Sequence, residues 1–305
     1  MEKMKLGKSD LEISRVGVGC MRMNSLTVDE AERYVLEAVQ QGVTFFDHAD
    51  IYGQGECERL FGQVLRRNPG LREKLVIQSK GGICPTMYDN SGAYLTETVD
   101  GILERLGTDH LDVFLIHRPD ALVEPEEVAE AFDRLHTAGK VRWFGVSNHK
   151  PMQMELLSRY LKQELQVDQL QFSITNSNMV RNGMEVNMET EGAVDRDGSV
   201  LDYCRLKDIT IQAWSPFQYG MFEGTFLGSP KYENLNRVLD ELAEKYETTN
   251  TAIASAWILR HPAKIQILAG TMNRERLTQI IRAQEISMSR EEWYRIYLAA
   301  GHILP

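Results

Sequence analysis

The sequence is poor in cysteine, and its cysteines are not arranged in pairs. The four thiols, at Cys20, Cys57, Cys84 and Cys204, are widely scattered and include no Cys-x-x-Cys motif. Disulfide frameworks and structural zinc sites need cysteines at characteristic spacings, so neither feature is predicted. We interpret all four as free thiols.

Long apolar runs and an excess of basic residues are also missing. No run approaches the ~18 residues that a bilayer-spanning helix needs, and the charged amino terminus lacks the apolar segment of a signal peptide. The formal net charge is -10, which disfavours nucleic acid or an anionic membrane as the main partner. We therefore expect a cytoplasmic protein. A small anionic ligand stays possible because it needs only a local positive patch.

The chain does contain short apolar strands that alternate with amphipathic helices. Eight strands are predicted at residues 16–21, 43–46, 75–80, 111–117, 141–148, 168–172, 210–214 and 265–269. Helices are predicted at residues 27–42, 56–65, 96–106, 125–138, 151–161, from 274 onward and at 290–300. Two further short segments, 4–6 and 11–16, flank a polar turn and predict an amino-terminal β-hairpin.

This alternation over 305 residues predicts an α/β fold with one domain, 1–305. The favoured architecture is a (β/α)8 TIM barrel with an N-terminal β-hairpin and long loops at the C-terminal face. A doubly wound sheet is the alternative, but its Gly-x-Gly-x-x-Gly fingerprint is incomplete, because Arg22 stands where the third glycine belongs. Residues 176–199, 218–230 and 293–305 are expected to border the pocket.

Ionisable residues fall at the ends of the predicted strands. Asp47, Lys80 and His117 each end a different strand, and Tyr52 lies in the loop after the first of them. Each alone has an ordinary structural explanation, as a helix cap, a solvated cation or a satisfied imidazole. In a parallel barrel, however, the carboxyl ends of all strands open on one face. The four residues together therefore predict a single functional cleft.

This tetrad, in its sequence context, resembles the aldo-keto reductase family, and the resemblance covers nearly the whole chain. The matching segments are Leu6-Gly7 to Leu11, Gly17-Val-Gly19, Asp47-His-Ala49 to Gly53, Glu58-x-x-x-Gly62, Gly145-Val-Ser147-Asn148, Trp214-Ser-Pro-Phe217 and Ala269-Gly-Thr-Met-Asn-Arg-Glu-Arg276. The resemblance implies an eight-stranded barrel that uses NADPH (NADP+) to reduce aldehydes or ketones without a metal.

The chemistry of carbonyl reduction suits these residue types. An alkoxide formed by hydride transfer needs a proton, and a phenol with a pKa of about 10 is a poor donor at neutral pH. A Lys80 ammonium ~4 Å away would favour the phenolate of Tyr52 by ~4 kcal/mol at an effective dielectric constant of ~20, less the part cancelled by Asp47. His117 would donate a hydrogen bond to the substrate oxygen.

The resemblance also implies a set of cofactor contacts. Ser147, Asn148 and Gln171 match the residues around the nicotinamide carboxamide, and Trp214 would stack on the ring. Gly270 and Thr271 would hold phosphate at a helix amino terminus, with Arg274 and Arg276 adding charge for a 2′-phosphate. The remaining implied contacts are Met21, Arg22, Asp47, Ser215, Pro216 and Phe217.

Two other functions stay open at this level. Some proteins that resemble aldo-keto reductases are regulatory subunits that hold NADPH with little turnover. A metal-dependent barrel hydrolase or isomerase using Asp47, His48 and His117 is the other alternative, although no His-x-His spacing supports it. The identity of the carbonyl substrate and the oligomeric state are not indicated by the sequence.

Overall fold

Eight parallel strands close into a barrel in the computed structural model, which describes residues 1–305. They are β3 (Val16–Gly19), β4 (Phe45–Asp47), β5 (Val76–Gly81), β6 (Leu111–Ile116), β7 (Val141–Ser147), β8 (Leu165–Gln171), β9 (Thr210–Trp214) and β10 (Gln266–Ala269). Each strand pairs with its sequence neighbours, and β10 pairs with β3 to complete the ring. This closure confirms the TIM barrel and excludes the doubly wound sheet, which has open edges.

The predicted hairpin is also present, before the barrel begins. Strands β1 (Lys3–Lys5) and β2 (Glu12–Ser14) pair in antiparallel fashion. Leu6 and Ile13 of this hairpin are fully buried and pack in one cluster with side chains of the barrel strands, among them Phe45 and Val113. The hairpin thus covers one end of the barrel and leaves the other end for the site.

Eleven α-helices accompany the strands. They are α1 (Val28–Gln40), α2 (Glu56–Arg67), α3 (Gly92–Leu106), α4 (Pro125–Thr137), α5 (Pro151–Ser158), α6 (Asn178–Met184), α7 (Val200–Leu206), α8 (Glu233–Lys245), α9 (Asn250–Leu259), α10 (Arg274–Arg282) and α11 (Arg290–Ala299). The predicted capping box of α1 is confirmed: the Thr27 hydroxyl accepts from the backbone of Glu30, and the Glu30 carboxylate accepts from the backbone of Thr27. None of the helices combines the length and apolar character needed to span a bilayer.

Some helices follow no pattern that the sequence displays. Every residue of α9 after Asn250 is buried, so its apolar residues surround the axis and give no amphipathic stripe. Helix α3 begins at Gly92, four residues before its predicted start, because the Ser91 hydroxyl caps it by accepting from the backbone of Tyr94. Helix α6 lies within the segment 176–199, which was expected to be a loop.

Two of the three segments expected to border the pocket lie elsewhere. Neither residues 176–199 nor residues 293–305 contribute to the lining of the cavity at the strand ends. They pack near each other instead: the His302 imidazole lies 3.1 Å from the Ser177 hydroxyl and 2.8 Å from the Ile174 carbonyl oxygen. Only residues 218–230 border the cavity as expected, and they do so because the chain leaves β9 directly over its mouth.

Candidate active site

A cavity of about 810 Å³ opens at the carboxyl ends of the barrel strands. Side chains from the ends of β4, β7 and β9 line it, together with the residues that follow β3, β6 and β10. Among the lining residues are Asp47, Tyr52 and His117. This is the face on which parallel barrels gather their functional groups.

The ion pair between Asp47 and Lys80 lies at the base of this cavity. The Lys80 ammonium is fully buried and donates to the Asp47 carboxylate and to the His48 carbonyl oxygen, both at 2.7 Å. Burial by itself lowers the pKa of Lys80, but Asp47 and Tyr52 together raise it above its ordinary value. Lys80 is therefore held as a cation in a fixed position.

Tyr52 stands over this ion pair. Its ring centroid lies 5.0 Å from the Lys80 ammonium and 6.0 Å from the centroid of the His117 ring, which meets it edge-on at 83°. A tight turn aims the ring: the Tyr52 amide donates to the Ala49 carbonyl, and Gly53 follows with a φ of 57°. The structure thus brings together all four residues that the strand ends predicted.

Burial dominates the acidity of the Tyr52 phenol. Desolvation raises the pKa of Tyr52 to about 12, Lys80 lowers it, and Asp47 adds to the rise. We expected Lys80 to lower the pKa of Tyr52. Lys80 does act in that direction, but the net pKa is raised rather than lowered. The reason is that removal from water destabilises the phenolate by more than the Lys80 ammonium stabilises it.

His117 is neutral in this environment. Burial, followed by the charges of Lys80 and Arg118, holds the pKa of His117 well below its usual range. The His117 backbone amide donates to the Gly81 carbonyl at 2.8 Å, while the ring Nδ1 has no hydrogen-bond partner. A neutral imidazole can donate one hydrogen bond to a ligand oxygen.

Glutamine side chains inside the barrel fix Asp47, and the sequence analysis did not identify them. The Asp47 Oδ1 atom accepts from the amides of Gln78 at 2.7 Å and Gln169 at 3.1 Å, in addition to Lys80. Gln212 joins both amides through its carbonyl oxygen. A glutamine in the middle of an apolar strand is the signal that could have revealed this network, because a buried amide needs polar partners.

A second chain of hydrogen bonds runs along the ends of β7 and β9. The indole of Trp214 donates to the Asn148 side-chain oxygen at 3.1 Å, and the Asn148 amide donates to the Ser147 hydroxyl at 2.7 Å. All three residues line the cavity, whereas Gln171 does not. The Gln171 amide instead donates to the Gly220 carbonyl, and the lining position is taken by Gln169, two residues earlier on β8.

The opposite side of the cavity is formed where β10 leads into α10. Gly270 and Thr271 line it, and the Asn273 side chain caps the helix by accepting from the backbone of Arg276 at 2.8 Å. Arg276 faces the cavity, but Arg274 does not, because it pairs with Glu37 of α1. A helix amino terminus with a free guanidinium beside it is suited to phosphate.

The remaining predicted contacts also reach this cavity. Met21, Arg22, Ser215, Pro216 and Phe217 all line it, and the Arg22 guanidinium donates to the Gly270 carbonyl at 2.9 Å. The lining also includes residues that the sequence did not indicate, among them Ile83, Tyr88 and Arg118, whereas Met221 and Phe222 belong to the segment 218–230 that was expected there. Arg118 could have been predicted to line the cavity, because it directly follows the strand-end residue His117.

The residues of the metal-dependent alternative do not share a site. The His48 ring is fully buried against Phe61, with centroids 4.7 Å apart, and it does not line the cavity that Asp47 and His117 reach. No group of three or more His, Cys, Asp or Glu side chains is arranged to hold a metal ion. This geometry disfavours the hydrolase or isomerase reading.

Comparison with known proteins agrees with the fold and with the family resemblance seen in the sequence. The sequence profile described as the aldo/keto reductase family matches residues 15–299. The 6-dehydroglucose reductase of Agrobacterium fabrum (strain C58) is 33% identical over 95% of each chain, and the NADH-specific methylglyoxal reductase of Escherichia coli (strain K12) is 27% identical over 95% of each. A solved structure of the thermostable aldo-keto reductase Tm1743, in complex with the inhibitor epalrestat, superposes with a TM-score of 0.77 at 27% identity, covering 98% of this chain and 100% of that one.

The family match and the relatives named as oxidoreductases make the protein an oxidoreductase that depends on a nicotinamide cofactor, NADH or NADPH. The chain belongs to the aldo/keto reductase family.

Proposed function

We propose that the protein reduces aldehyde or ketone carbonyls to alcohols with NADPH and that Tyr52 is the general acid. The observation that carries this proposal is the convergence of Tyr52, Lys80 and His117 on one face of the cavity, with Asp47 beneath them. A phenol, a buried ammonium and a neutral imidazole together supply a proton, tune its donor and hold the oxygen that receives it.

Each residue of the site would have a separate role in the reaction. The cavity would hold a reduced nicotinamide, which when bound would supply the hydride for the carbonyl carbon. His117 holds the carbonyl oxygen through a hydrogen bond, and Tyr52 delivers its phenolic proton to that oxygen as negative charge develops. Lys80 then stabilises the phenolate that Tyr52 becomes, and Asp47 keeps Lys80 charged and in place.

The lining of the cavity suits a nicotinamide dinucleotide. Trp214 offers an indole face, and the Ser147, Asn148 and Gln169 side chains offer amide and hydroxyl groups for a carboxamide. Gln169 takes the place that the sequence analysis gave to Gln171. Gly270 has no side chain to crowd the Arg22 guanidinium, which would lie 3.2 Å from a Cβ at this position. These groups would bind and orient the cofactor.

The preference for NADPH over NADH rests on two arginines. Arg22 and Arg276 line the cavity beside Gly270 and Thr271, and the only carboxylate of the lining, Asp47, is paired with Lys80 instead. A 2′-phosphate would gain charge-assisted hydrogen bonds there that a 2′-hydroxyl could not match. Family membership alone does not decide between the cofactors, since one relative bears the name NADH-specific methylglyoxal reductase.

The direct test is a panel of aldehydes, ketones and quinones, including methylglyoxal and sugar aldehydes, assayed by the loss of NADPH absorbance. The proposal expects turnover of at least one carbonyl class, with a tighter dissociation constant for NADPH than for NADH. Tight NADPH binding without oxidation by any member of the panel would favour a regulatory subunit instead. Equal or tighter NADH binding would overturn the cofactor assignment.

A further inference from the structure

Arg118 is a cation that faces the cavity with no partner in the chain. It follows His117 directly and lines the same cavity, half-buried. Its guanidinium takes part in no salt bridge and donates no hydrogen bond within the protein. It lies over the Trp214 ring, whose centroid is 6.0 Å from the guanidinium carbon. A guanidinium presents a planar set of donors that matches carboxylate and phosphate groups, so this unpaired side chain is suited to an anionic ligand.

Backbone anchoring makes a purely structural role a poor explanation for this side chain. The Arg118 carbonyl accepts from the Asn90 side chain at 2.9 Å, which fixes the main chain. The nearby Asp120 carboxylate is occupied by the backbone amides of Asn90 and Leu122, at 3.0 and 2.8 Å, rather than by the guanidinium. The local fold therefore uses the backbone of Arg118 and leaves its charge available.

The charge of the cavity is opposite to that of the whole protein. The lining contains the arginines Arg22, Arg118 and Arg276, and its only carboxylate, Asp47, is neutralised by Lys80 at 2.7 Å. This positive lining occurs in a chain with a formal net charge of -10. A cleft of one sign concentrates ligands of the other sign, so anionic ligands are favoured here.

The three arginines lie at two separate ends of the cavity. Arg22 contacts Gly270, beside the helix terminus assigned above to the cofactor phosphates, and Arg276 lies at that same terminus. Arg118 is at the other end, next to His117 and over Trp214. The cofactor would satisfy the first two, while the third would remain free for the substrate.

From this arrangement, and resting on the proposed reductase activity, we propose that Arg118 selects oxo-acid substrates. These are aldehydes or ketones with a carboxylate elsewhere in the molecule, which the guanidinium binds while His117 and Tyr52 engage the carbonyl. Apolar side chains around the mouth, including Tyr88, Met221 and Phe222, would cover the spacer between the two groups. A guanidinium and a carboxylate can form two parallel hydrogen bonds, which gives both affinity and orientation.

The experiment compares substrates that differ only in charge. The pairs are 4-carboxybenzaldehyde against its methyl ester, and succinic semialdehyde against butanal, with glyceraldehyde as a hydroxylated neutral aldehyde. The values of kcat and KM are measured for the wild type, Arg118→Gln and Arg118→Lys. Arg159→Gln is the matched control, since Arg159 is an exposed arginine without an ion pair and outside the cavity.

The proposal expects wild type to prefer the carboxylate of each pair. In Arg118→Gln, kcat/KM for the carboxylates should fall about 10- to 100-fold, mainly through KM, because a hydrogen bond to a charged group contributes about 1.5–3 kcal/mol. The neutral partners and glyceraldehyde should change little, and Arg118→Lys should recover part of the loss. Arg159→Gln should match the wild type.

Several results would overturn the proposal. Equal loss on the charged and neutral members of a pair would make Arg118 a general positioning residue, and loss confined to glyceraldehyde would indicate hydroxyl recognition. No change in Arg118→Gln would leave the guanidinium without a role.

If no carbonyl is turned over, the proposed reductase activity fails on its own, and binding separates the two ideas. Calorimetry with NADP+ present would then compare 4-(hydroxymethyl)benzoate with its methyl ester. Tighter binding of the carboxylate in wild type, lost in Arg118→Gln, would still support the proposal; equal binding would contradict it.

Discussion

Lys80 is a buried charge whose position is set entirely by its partners. Its ammonium is inaccessible to water and contacts the Asp47 carboxylate and the His48 carbonyl, both at 2.7 Å. Such a cation is stable only when it is paired, and a medium of low polarity screens its field only weakly. Tyr52, with its ring centroid 5.0 Å away, receives that field directly.

Replacing Lys80 by methionine should slow carbonyl reduction about 100-fold or more, the scale of general-acid catalysis. Lys80 lowers the pKa of Tyr52, which burial raises to about 12, so its removal moves that pKa higher still. Alcohol oxidation, which needs the phenolate, should rise with pH through the alkaline range in wild type, and the variant's rise should move to higher pH. The pH dependence of kcat in both directions checks this.

Loss of Lys80 also leaves Asp47 buried without its cation, so the fold needs its own control. The double variant Lys80→Met/Asp47→Asn removes the unpaired carboxylate while keeping the lysine absent. It should regain the thermal stability that the single variant loses, yet its reduction rate should stay low. A pH profile that does not move in either variant would refute the tuning role of Lys80.

At the scale of elements, helices α2 and α3 are joined by a buried ion pair and one close contact. The Glu58 carboxylate accepts from the Arg105 guanidinium of α3 and from the Ser79 hydroxyl of β5, both at 2.7 Å. One turn later, a Cβ added at Gly62 would lie 2.5 Å from the Arg105 carbonyl oxygen, so only glycine allows the helices to approach this closely. This explains the Glu58-x-x-x-Gly62 spacing physically, as a packing motif behind the site.

Breaking this ion pair should destabilise the protein substantially. The Glu58 side chain is fully buried, and Arg105→Met would leave its carboxylate without a cation, at a cost of about 3 kcal/mol in the free energy of unfolding. Arg237→Met is the matched control, since Arg237 pairs with Glu241 on the exposed face of α8, where such pairs contribute about 0–1 kcal/mol. Urea unfolding of both variants measures the difference, and equal losses would contradict it.

Helix α10 offers a test of cofactor choice on a single element. Arg276→Ala should weaken NADPH binding about 10- to 100-fold, the range expected for a lost charge-assisted hydrogen bond, and should leave NADH binding nearly unchanged. Arg274→Ala is the control, because Arg274 begins the same helix but pairs with Glu37 away from the cavity. Dissociation constants from fluorescence titration decide the matter. A larger effect of Arg274→Ala would show that the 2′-phosphate assignment is wrong.

At the scale of the whole molecule, the barrel was predictable because its strands are short, apolar and regularly spaced. The predicted segment 210–214 coincides with β9, whereas β8 begins at Leu165, three residues before its predicted start. Most helices with one apolar face were predicted, but α8 was missed although its buried residues Leu235, Val238 and Leu242 form such a face. Helix α9 is buried almost all round, and α6 lies in a polar segment. Hydrophobic periodicity detects elements with one buried face, so it does not detect a helix that is buried on all sides or a short helix in a polar segment.

The strand ends that form the candidate site could be predicted from the sequence, but not every side chain that lines it. Asp47, Lys80 and His117 follow from strand ends alone, because all such ends meet on one face. Spacing does not distinguish Gln169 from Gln171, which share one face of β8, nor Arg274 from Arg276 at the start of one helix. Those choices depend on partners distant in sequence, such as Asp47 for Gln169 and Glu37 for Arg274.

The most direct test of the central claim is single-turnover oxidation of bound NADPH by an aldehyde, compared between wild type and Tyr52→Phe. Because the phenol would be the proton donor, the variant should bind NADPH with unchanged affinity and oxidise it about 100- to 10,000-fold more slowly. Oxidation at the wild-type rate in Tyr52→Phe would contradict the account, since the proton would then come from another group.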